Sequence, residues 1–279
     1  MSLPRSGLAL ALAALLCAPS LSASPAARDR VLTGTLESAA ASATAGPEGA
    51  LVELAGGTRL RVSPGARIVH ERSIKLKLGP RGDDDRLTRV IRVLRGSVDT
   101  ELPAAGAPPA VMFHGPSRLS AVVKEGAGTF LVNADSTTAA SRRGEALVGL
   151  GNDWNPLREG LARTLSARDP AATPRSILSA PTPALETELL LASGDALPKG
   201  VVRWSPLAGA VTHRLRVERT SPPAAVLIDG EVEAATATTP ALTPGTYAVS
   251  VAAADATGLA GPSSTALPLQ VVGLALPAG

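Results

Sequence analysis

The sequence is poor in the residues from which much protein chemistry is built. One cysteine, Cys17, occurs in 279 residues, and it falls in a segment that export would remove. A chain so processed has no disulfide, no thiol nucleophile and no cysteine-ligated zinc, so apolar burial must stabilise it. Aromatic residues are as scarce: Phe113, Phe130, Trp154, Trp204 and Tyr247 are the full set, and each is expected to anchor a core. Charge of one sign is lacking too. The formal net charge is +3, with only four lysines among 27 basic residues, scattered and without interleaved aromatics. A nucleic-acid reader would gather Lys and Arg with aromatics along one face, so no nucleic-acid partner is expected.

What is present begins at the N-terminus. Arg5 precedes a short apolar run, Gly7–Leu16, and Pro19 is followed by small residues through Ala26. That layout reads as a secretory signal, cleaved between Ser22 and Ala26. The expected location is periplasmic or secreted. Cys17 could be taken for a lipid-attachment site, but bulky Leu16 stands where such a box needs a small residue. The apolar run is about half the roughly 20 residues a spanning helix requires, so no stable transmembrane segment is expected once the signal is gone.

Beyond the signal (1–23), residues 24–49 read as a flexible linker, with Ser38–Gly49 small and polar and a short strand possible at Val31–Leu36. From Ala50 onward short alternating runs recur between Gly and Pro: Leu51–Leu54, Thr58–Val62, Arg67–Val69, Ile74–Leu78 and Arg89–Leu94. The rhythm continues at Ala110–Phe113, Ser120–Val123, Thr129–Val132, Thr137–Ser141 and Ala146–Gly149. Period two puts Leu60 and Val62 on one face and Arg59 and Arg61 on the other, toward solvent. Residues 50–151 are therefore expected to form an all-β domain, solenoid- or barrel-like. Gly79–Arg86 reads as an exposed loop.

Trp154, Leu157, Leu161 and Leu165 recur at spacings of three and four behind Pro156, which predicts one short amphipathic helix over Asn152–Arg168. Four prolines in Asp169–Pro183 then suggest an extended connection, so that 152–184 is helix plus linker. Strand rhythm returns over 185–273, ahead of a tail at 274–279. There Trp204, Leu215, Val217, Tyr247, Val249 and Val251 are placed to fill a β-sandwich. The fold class is mainly β throughout.

No chemistry-bearing pattern stands out. Gly115-Pro-Ser-Arg-Leu119 is not a nucleophile elbow, and His70, His114 and His213 lie far apart in sequence. Asp83-Asp84-Asp85 lacks the alternate ligands and later Glu of a calcium loop. Glu37, Glu48 and Glu53 form no pair at an interpretable spacing. Gly126-Ala-Gly128 lacks the Lys and helix of a phosphate loop and reads as a hairpin turn. Arg59/Arg61 and Arg89/Arg92/Arg95 read as solvent faces of half-buried strands. No catalytic, cofactor-binding or metal-binding residue is assigned, no cofactor is expected, and the chain is not expected to be an enzyme.

Two resemblances add to this. Gly57-Thr-Arg-Leu-Arg-Val-Ser-Pro-Gly-Ala-Arg-Ile68, Arg92-Val-Leu-Arg-Gly-Ser-Val98, Ala127-Gly-Thr-Phe-Leu-Val132 and Arg143-Gly-Glu-Ala-Leu-Val-Gly149 occur in the order seen in the FecR-like periplasmic domain of bacteria, which the stretch Gly56–Gly149 resembles. Arg203-Trp-Ser-Pro-Leu-Ala-Gly-Ala210, His213-Arg-Leu-Arg-Val-Glu218, Leu242-Thr-Pro-Gly-Thr-Tyr247 and Ala254-Asp-Ala-Thr-Gly-Leu-Ala-Gly-Pro262 resemble a fibronectin type III-like module. That resemblance implies a core role for Trp204 and a sheet-bridging role for Tyr247. The best-known FecR-like proteins carry a cytoplasmic anti-sigma arm, and the six residues before the apolar run leave no room for one.

Together these readings imply a non-enzymatic extracytoplasmic binding or scaffold protein of the cell envelope. Its partner would be an envelope protein or polymer, met through exposed sheet edges. The alternative is a periplasmic signalling subunit that relays envelope state to a separate membrane regulator or sigma-factor system.

Overall fold

The structure, a computed structural model, describes residues 29–39, 42–71, 73–78, 84–104, 109–117, 119–150, 153–166, 169, 173–193 and 196–274. The signal segment and residues 24–28 lie outside them. The chain divides into two units between Ile177 and Leu178. Among the described residues every regular element is a strand.

The first unit runs β1 (Arg30–Ala39), β2 (Ser42–Glu53), β3 (Arg59–Val62), β4 (Arg67–His70), β5 (Ile74–Leu78), β6 (Asp84–Glu101), β7 (Ala110–His114), β8 (Leu119–Val123), β9 (Ala127–Val132), β10 (Ser136–Arg143), β11 (Ala146–Leu150), β12 (Asp153–Leu157), β13 (Leu161–Ser166) and β14 (Arg175–Ser176). They form one 14-stranded sheet whose main path is β12-β11-β8-β7-β6-β9-β10-β13-β14. The 18-residue β6 is its spine. Its first half lies between β4 and β5 on one side and a parallel β7 on the other, and its second half between β3 and β9.

The two halves meet at Gly96, where φ is +81°. A Cβ there would stand 2.5 Å from the Ala66 Cβ, so only glycine lets the strand pass the turn between β3 and β4. Ser63 ties that turn to the spine, donating its N–H to the Ser97 carbonyl (2.9 Å) and accepting the Ser97 N–H on Oγ (2.9 Å). Inward residues, among them Leu60, Val62, Val93, Val98, Phe113, Phe130, Val148 and Leu157, form the main core. Val90, Ala110, Met112 and Val122 form a smaller cluster on the opposite face.

Three expectations are corrected here. Ser38–Gly49 is not a linker: β1 and β2 form a hairpin in which Leu36 and Ala45 face each other and enter the core, and Ala43 and Thr44 pair with β4. Small side chains carry no hydrophobic period, so backbone pairing shows only in the fold. Second, Asn152–Arg168 forms no helix in its described part. It is a strand pair, β12 and β13, turning through Glu159 and Gly160, whose φ is +78°. Pro156 is tolerated because β12 is an edge strand. Third, the Gly79–Arg86 loop is shorter than expected: Asp84, Asp85 and Arg86 pair with Leu78, Lys77 and Leu76, while 79–83 lie outside the described residues.

The second unit contains β15 (Pro183–Leu185), β16 (Leu189–Ser193), β17 (Val201–Trp204), β18 (Ala210–Arg219), β19 (Ala225–Val232), β20 (Thr236–Thr238), β21 (Gly245–Asp255), β22 (Ala260–Ser263) and β23 (Leu267–Leu274). A three-stranded sheet, β15-β17-β20, packs on a larger one ordered β16-β23-β21-β18-β19, with β22 on β21. Between them lie Trp204, Leu215, Val217, Tyr247, Val249 and Val251, the residues the alternation selects, joined by Val202, Leu242, Leu269 and Val271. The Tyr247 hydroxyl donates to the Thr243 carbonyl at 2.5 Å, a corner that pins the start of β21.

Candidate functional site

Cross-strand register in the first unit assembles one row of side chains that the sequence scatters over more than 80 residues. Arg92 on β6 stands opposite His114 on β7, His114 opposite Ser120 on β8, Ser120 opposite Gly149 on β11, and Gly149 opposite Trp154 on β12. One step along each strand the same face carries Val90, Met112, Val122 and Leu147, the smaller apolar cluster, which anchors the row from below.

Each member has a defined partner. Arg92 Nη2 meets Glu71 Oε1 at 2.7 Å, just beyond the end of β4, and the Arg92 side chain is 53% exposed. Glu71 is held there by its own N–H, which donates to the Val90 carbonyl at 2.9 Å. His114 Nδ1 and Ser120 Oγ lie 2.6 Å apart. Burial lowers the His114 pKa from its ordinary value. The Glu71 carboxylate opposes that shift and the Arg92 guanidinium reinforces it. The ring is therefore neutral at pH 7, and the row as a whole carries no net charge.

At the far end the Trp154 indole lies flat on Gly149. A Cβ on Gly149 would meet ring atoms Cδ2, Cε2 and Cε3 at 2.7, 2.8 and 2.8 Å, so the fused ring rests face-on against the glycine. Trp154 is 38% exposed, whereas Phe113, Phe130, Trp204 and Tyr247 are all buried. Four of the five aromatics thus anchor cores as expected, and Trp154 instead presents one face of its ring outward.

The Ser120–His114 pair invites comparison with a nucleophile and its base. Ser120 sits in mid-strand with β7 on one side and β11 on the other, so the backbone around it is committed to the sheet. Acyl transfer needs spare N–H groups aimed at an oxyanion, and a central strand does not offer them. The pair serves as a fixed donor and acceptor on the sheet face.

The other sequence candidates lie elsewhere. His70 sits near Asp29 and Arg89; Asp29 accepts from Arg89 Nη1 at 3.0 Å and from the Ala55 N–H at 2.6 Å. The His70 pKa is lowered by burial and Arg89, with Asp29 acting against them. His213 belongs to the second unit, buried against Trp204 with ring centroids 5.2 Å apart. The arginine rows are not a continuous solvent face: Arg61 is buried opposite Asp99, while Arg59 meets Glu53 and Arg95 donates to the Gly65 carbonyl. The Arg61 face is covered, which alternation alone does not reveal. Among the described residues no group of three His, Cys, Asp or Glu could hold a metal. No helix there is long and apolar enough to cross a membrane.

Sequence reasoning missed Ser120 and Gly149. A signal for Ser120 existed: with Gly115-Pro116 as turn, a hairpin of the two flanking strands sets His114 opposite Ser120. Reading Trp154 onto a helix hid its pairing with Gly149.

No protein-family model matches the chain, and no curated protein matches it. Solved structures similar to it include a candidate anti-sigma factor from Parabacteroides distasonis, at 10% identity and TM-score 0.38, covering 48% of this chain and 59% of that one. A Fn3-like protein from Clostridium thermocellum covers 35% of this chain and 100% of its own, at 19% identity and TM-score 0.25. The extracellular domain of a candidate hybrid two-component system from B. thetaiotaomicron covers 84% of this chain and 42% of its own, at 10% identity and TM-score 0.22. The chain thus spans just over half the length of the anti-sigma structure, and scores this low do not establish a shared fold.

Proposed function

We propose that this chain is a non-enzymatic, extracytoplasmic binding protein of the bacterial cell envelope. Its first unit would be a FecR-like domain that makes the contact, and its sandwich a spacer or second contact. One observation carries this: the only outward-facing aromatic ring lies on a glycine at the end of a polar row on a rigid sheet. Exposing an indole forgoes about 1.5–3 kcal/mol of burial, a cost that makes sense where a partner covers the ring. Export rests on the Arg5 and Gly7–Leu16 pattern. Envelope attachment through a sheet face needs no cofactor and no moving part, in keeping with a row whose members are fixed by ladder pairing.

The test is co-sedimentation of the exported, processed protein with isolated envelopes from a Gram-negative bacterium. Saturable sedimentation at micromolar protein is expected. Protein that stays in the supernatant at every concentration would sink the binding reading.

A further inference from the structure

We infer that the row Trp154–Ser120–His114–Arg92–Glu71 is a track for a neutral, hydroxyl-rich polysaccharide chain lying across the strands. This deepens the binding reading above and rests on it. Stacking is the first requirement of sugar recognition, because a pyranose presents a flat face of C–H groups to an aromatic plane. Trp154 meets it: one indole face is seated on Gly149 and the other is open. The seat fixes the ring parallel to the sheet, the attitude a chain running across the strands requires.

Hydrogen bonding to hydroxyls is the second requirement. Sugar hydroxyls donate and accept at once, so they are matched by groups of both kinds side by side. Ser120 and His114 supply a hydroxyl and a neutral imidazole 2.6 Å apart. Arg92 and Glu71 supply a guanidinium fork and a carboxylate joined at 2.7 Å. Such a fork and carboxylate each match two adjacent hydroxyls in bidentate fashion.

Spacing and charge narrow the ligand further. Gly149, Ser120, His114 and Arg92 occupy four adjacent strands, β11, β8, β7 and β6, separated by about 4.8 Å each. That step is close to the advance of one sugar in an extended β-linked chain, so successive residues would meet successive side chains. The single cation of the row is offset by Glu71. A phosphate or an anionic lipid headgroup, which depends on uncompensated positive charge, finds none here. An apolar protein segment would leave four polar side chains facing it without partners.

The probes are β1,4-linked gluco-oligosaccharides and N-acetylglucosamine oligosaccharides of one to six sugars, titrated into the processed full-length protein by calorimetry and tryptophan emission. Affinity is expected to rise with length to about four sugars and then level off, one sugar per strand. Trp154→Ala should weaken binding at least tenfold and Ser120→Ala several-fold, each with an unchanged melting temperature. Ser120→Ala keeps the test valid should the tryptophan variant unfold.

Absence of binding at millimolar concentration, or affinity indifferent to both substitutions, would overturn the saccharide assignment. If envelopes still sediment the protein in that case, the binding reading survives and the ligand is of another class. If they do not, both fall together.

Discussion

Replacing Gly96 with alanine tests the account of β6 as a spine that must bend past a neighbouring turn. Two separate costs arise. Alanine at φ +81° pays about 1–2 kcal/mol for the left-handed backbone. Its Cβ would also lie 2.5 Å from the Ala66 Cβ and 2.8 Å from the Ala66 Cα, against an ordinary contact of about 3.5–4.0 Å. Ala66 is fully buried and its N–H donates to the Ser63 carbonyl, so the turn cannot retreat without opening hydrogen bonds. Overpacking of this kind costs about 1–3 kcal/mol. Alanine also removes some unfolded-state freedom, which returns a fraction of a kcal/mol. The net destabilisation of the first unit is therefore about 2–4 kcal/mol, a large part of a typical domain's stability.

The assay is urea unfolding followed by tryptophan emission. Each unit holds one tryptophan, Trp154 in the first and Trp204 in the second, so a Trp204→Phe background reports the first unit alone. Ala66→Gly separates the two costs. It removes the Cβ that collides, so Gly96→Ala should cost distinctly less in that background, while the penalty of the backbone conformation stays. If Gly96→Ala costs under about 0.5 kcal/mol, or costs the same with and without the Ala66 methyl, the steric reasoning is wrong.

Two further predictions concern the replaced helix and the second unit. On a helix Trp154 and Leu157 would share one face, whereas on β12 Leu157 is buried in the core and Trp154 faces out. Leu157→Ala should cost about 2–5 kcal/mol and Trp154→Ala under about 1 kcal/mol in thermal unfolding; equal costs would contradict the strand assignment. His213 is buried with neither ring nitrogen hydrogen-bonded, and burial lowers its pKa below the ordinary 6.5. The folded sandwich therefore disfavours the proton: its stability is whole above pH 6.5 and falls as pH drops toward the folded value, by at most about 1.4 kcal/mol per pH unit. With Trp204 reporting in a Trp154→Phe background, His213→Phe should flatten that slope between pH 7 and 5, and an unchanged slope would refute it.

Strands were legible wherever large apolar and charged residues alternate. Ile74–Leu78 and Val201–Trp204 have the same limits in sequence and structure, and Leu60/Val62 face the core as alternation requires. Legibility failed where alternation was absent or reset. Ala43, Thr44 and Ala45 have no period of their own, and their pairing with Ile68 and Arg67 is a property of the fold. Around Gly160 the turn inserts a change of phase between two period-two strands. Leu157, Leu161 and Leu165 then fall at intervals of four and imitate a helix, although Gly160 and Pro156 both mark a break. Arg61 shows the same limit on the polar side: alternation assigns its face, but whether that face is covered depends on tertiary packing.

The candidate row was illegible for a related reason. Its members come from β6, β7, β8, β11 and β12, and the order β12-β11-β8-β7-β6 includes a parallel β6–β7 pair and a neighbour relation between β8 and β11 across two intervening strands. Hairpin logic delivers only His114 opposite Ser120; the parallel crossover that brings Arg92 beside His114 follows from no local signal. What the sequence did hold was an anomaly. In a chain with five aromatics and a +3 charge, a tryptophan flanked by Asp153, Asn155 and Pro156 is poorly placed to be a core anchor. Every residue around it favours an edge and solvent, and a glycine at the opposing position is what allows the indole to lie flat. Scarcity gives that position its weight: where large apolar side chains are few, leaving one outside the core forgoes stabilisation that the folded chain does not recover unless something binds there.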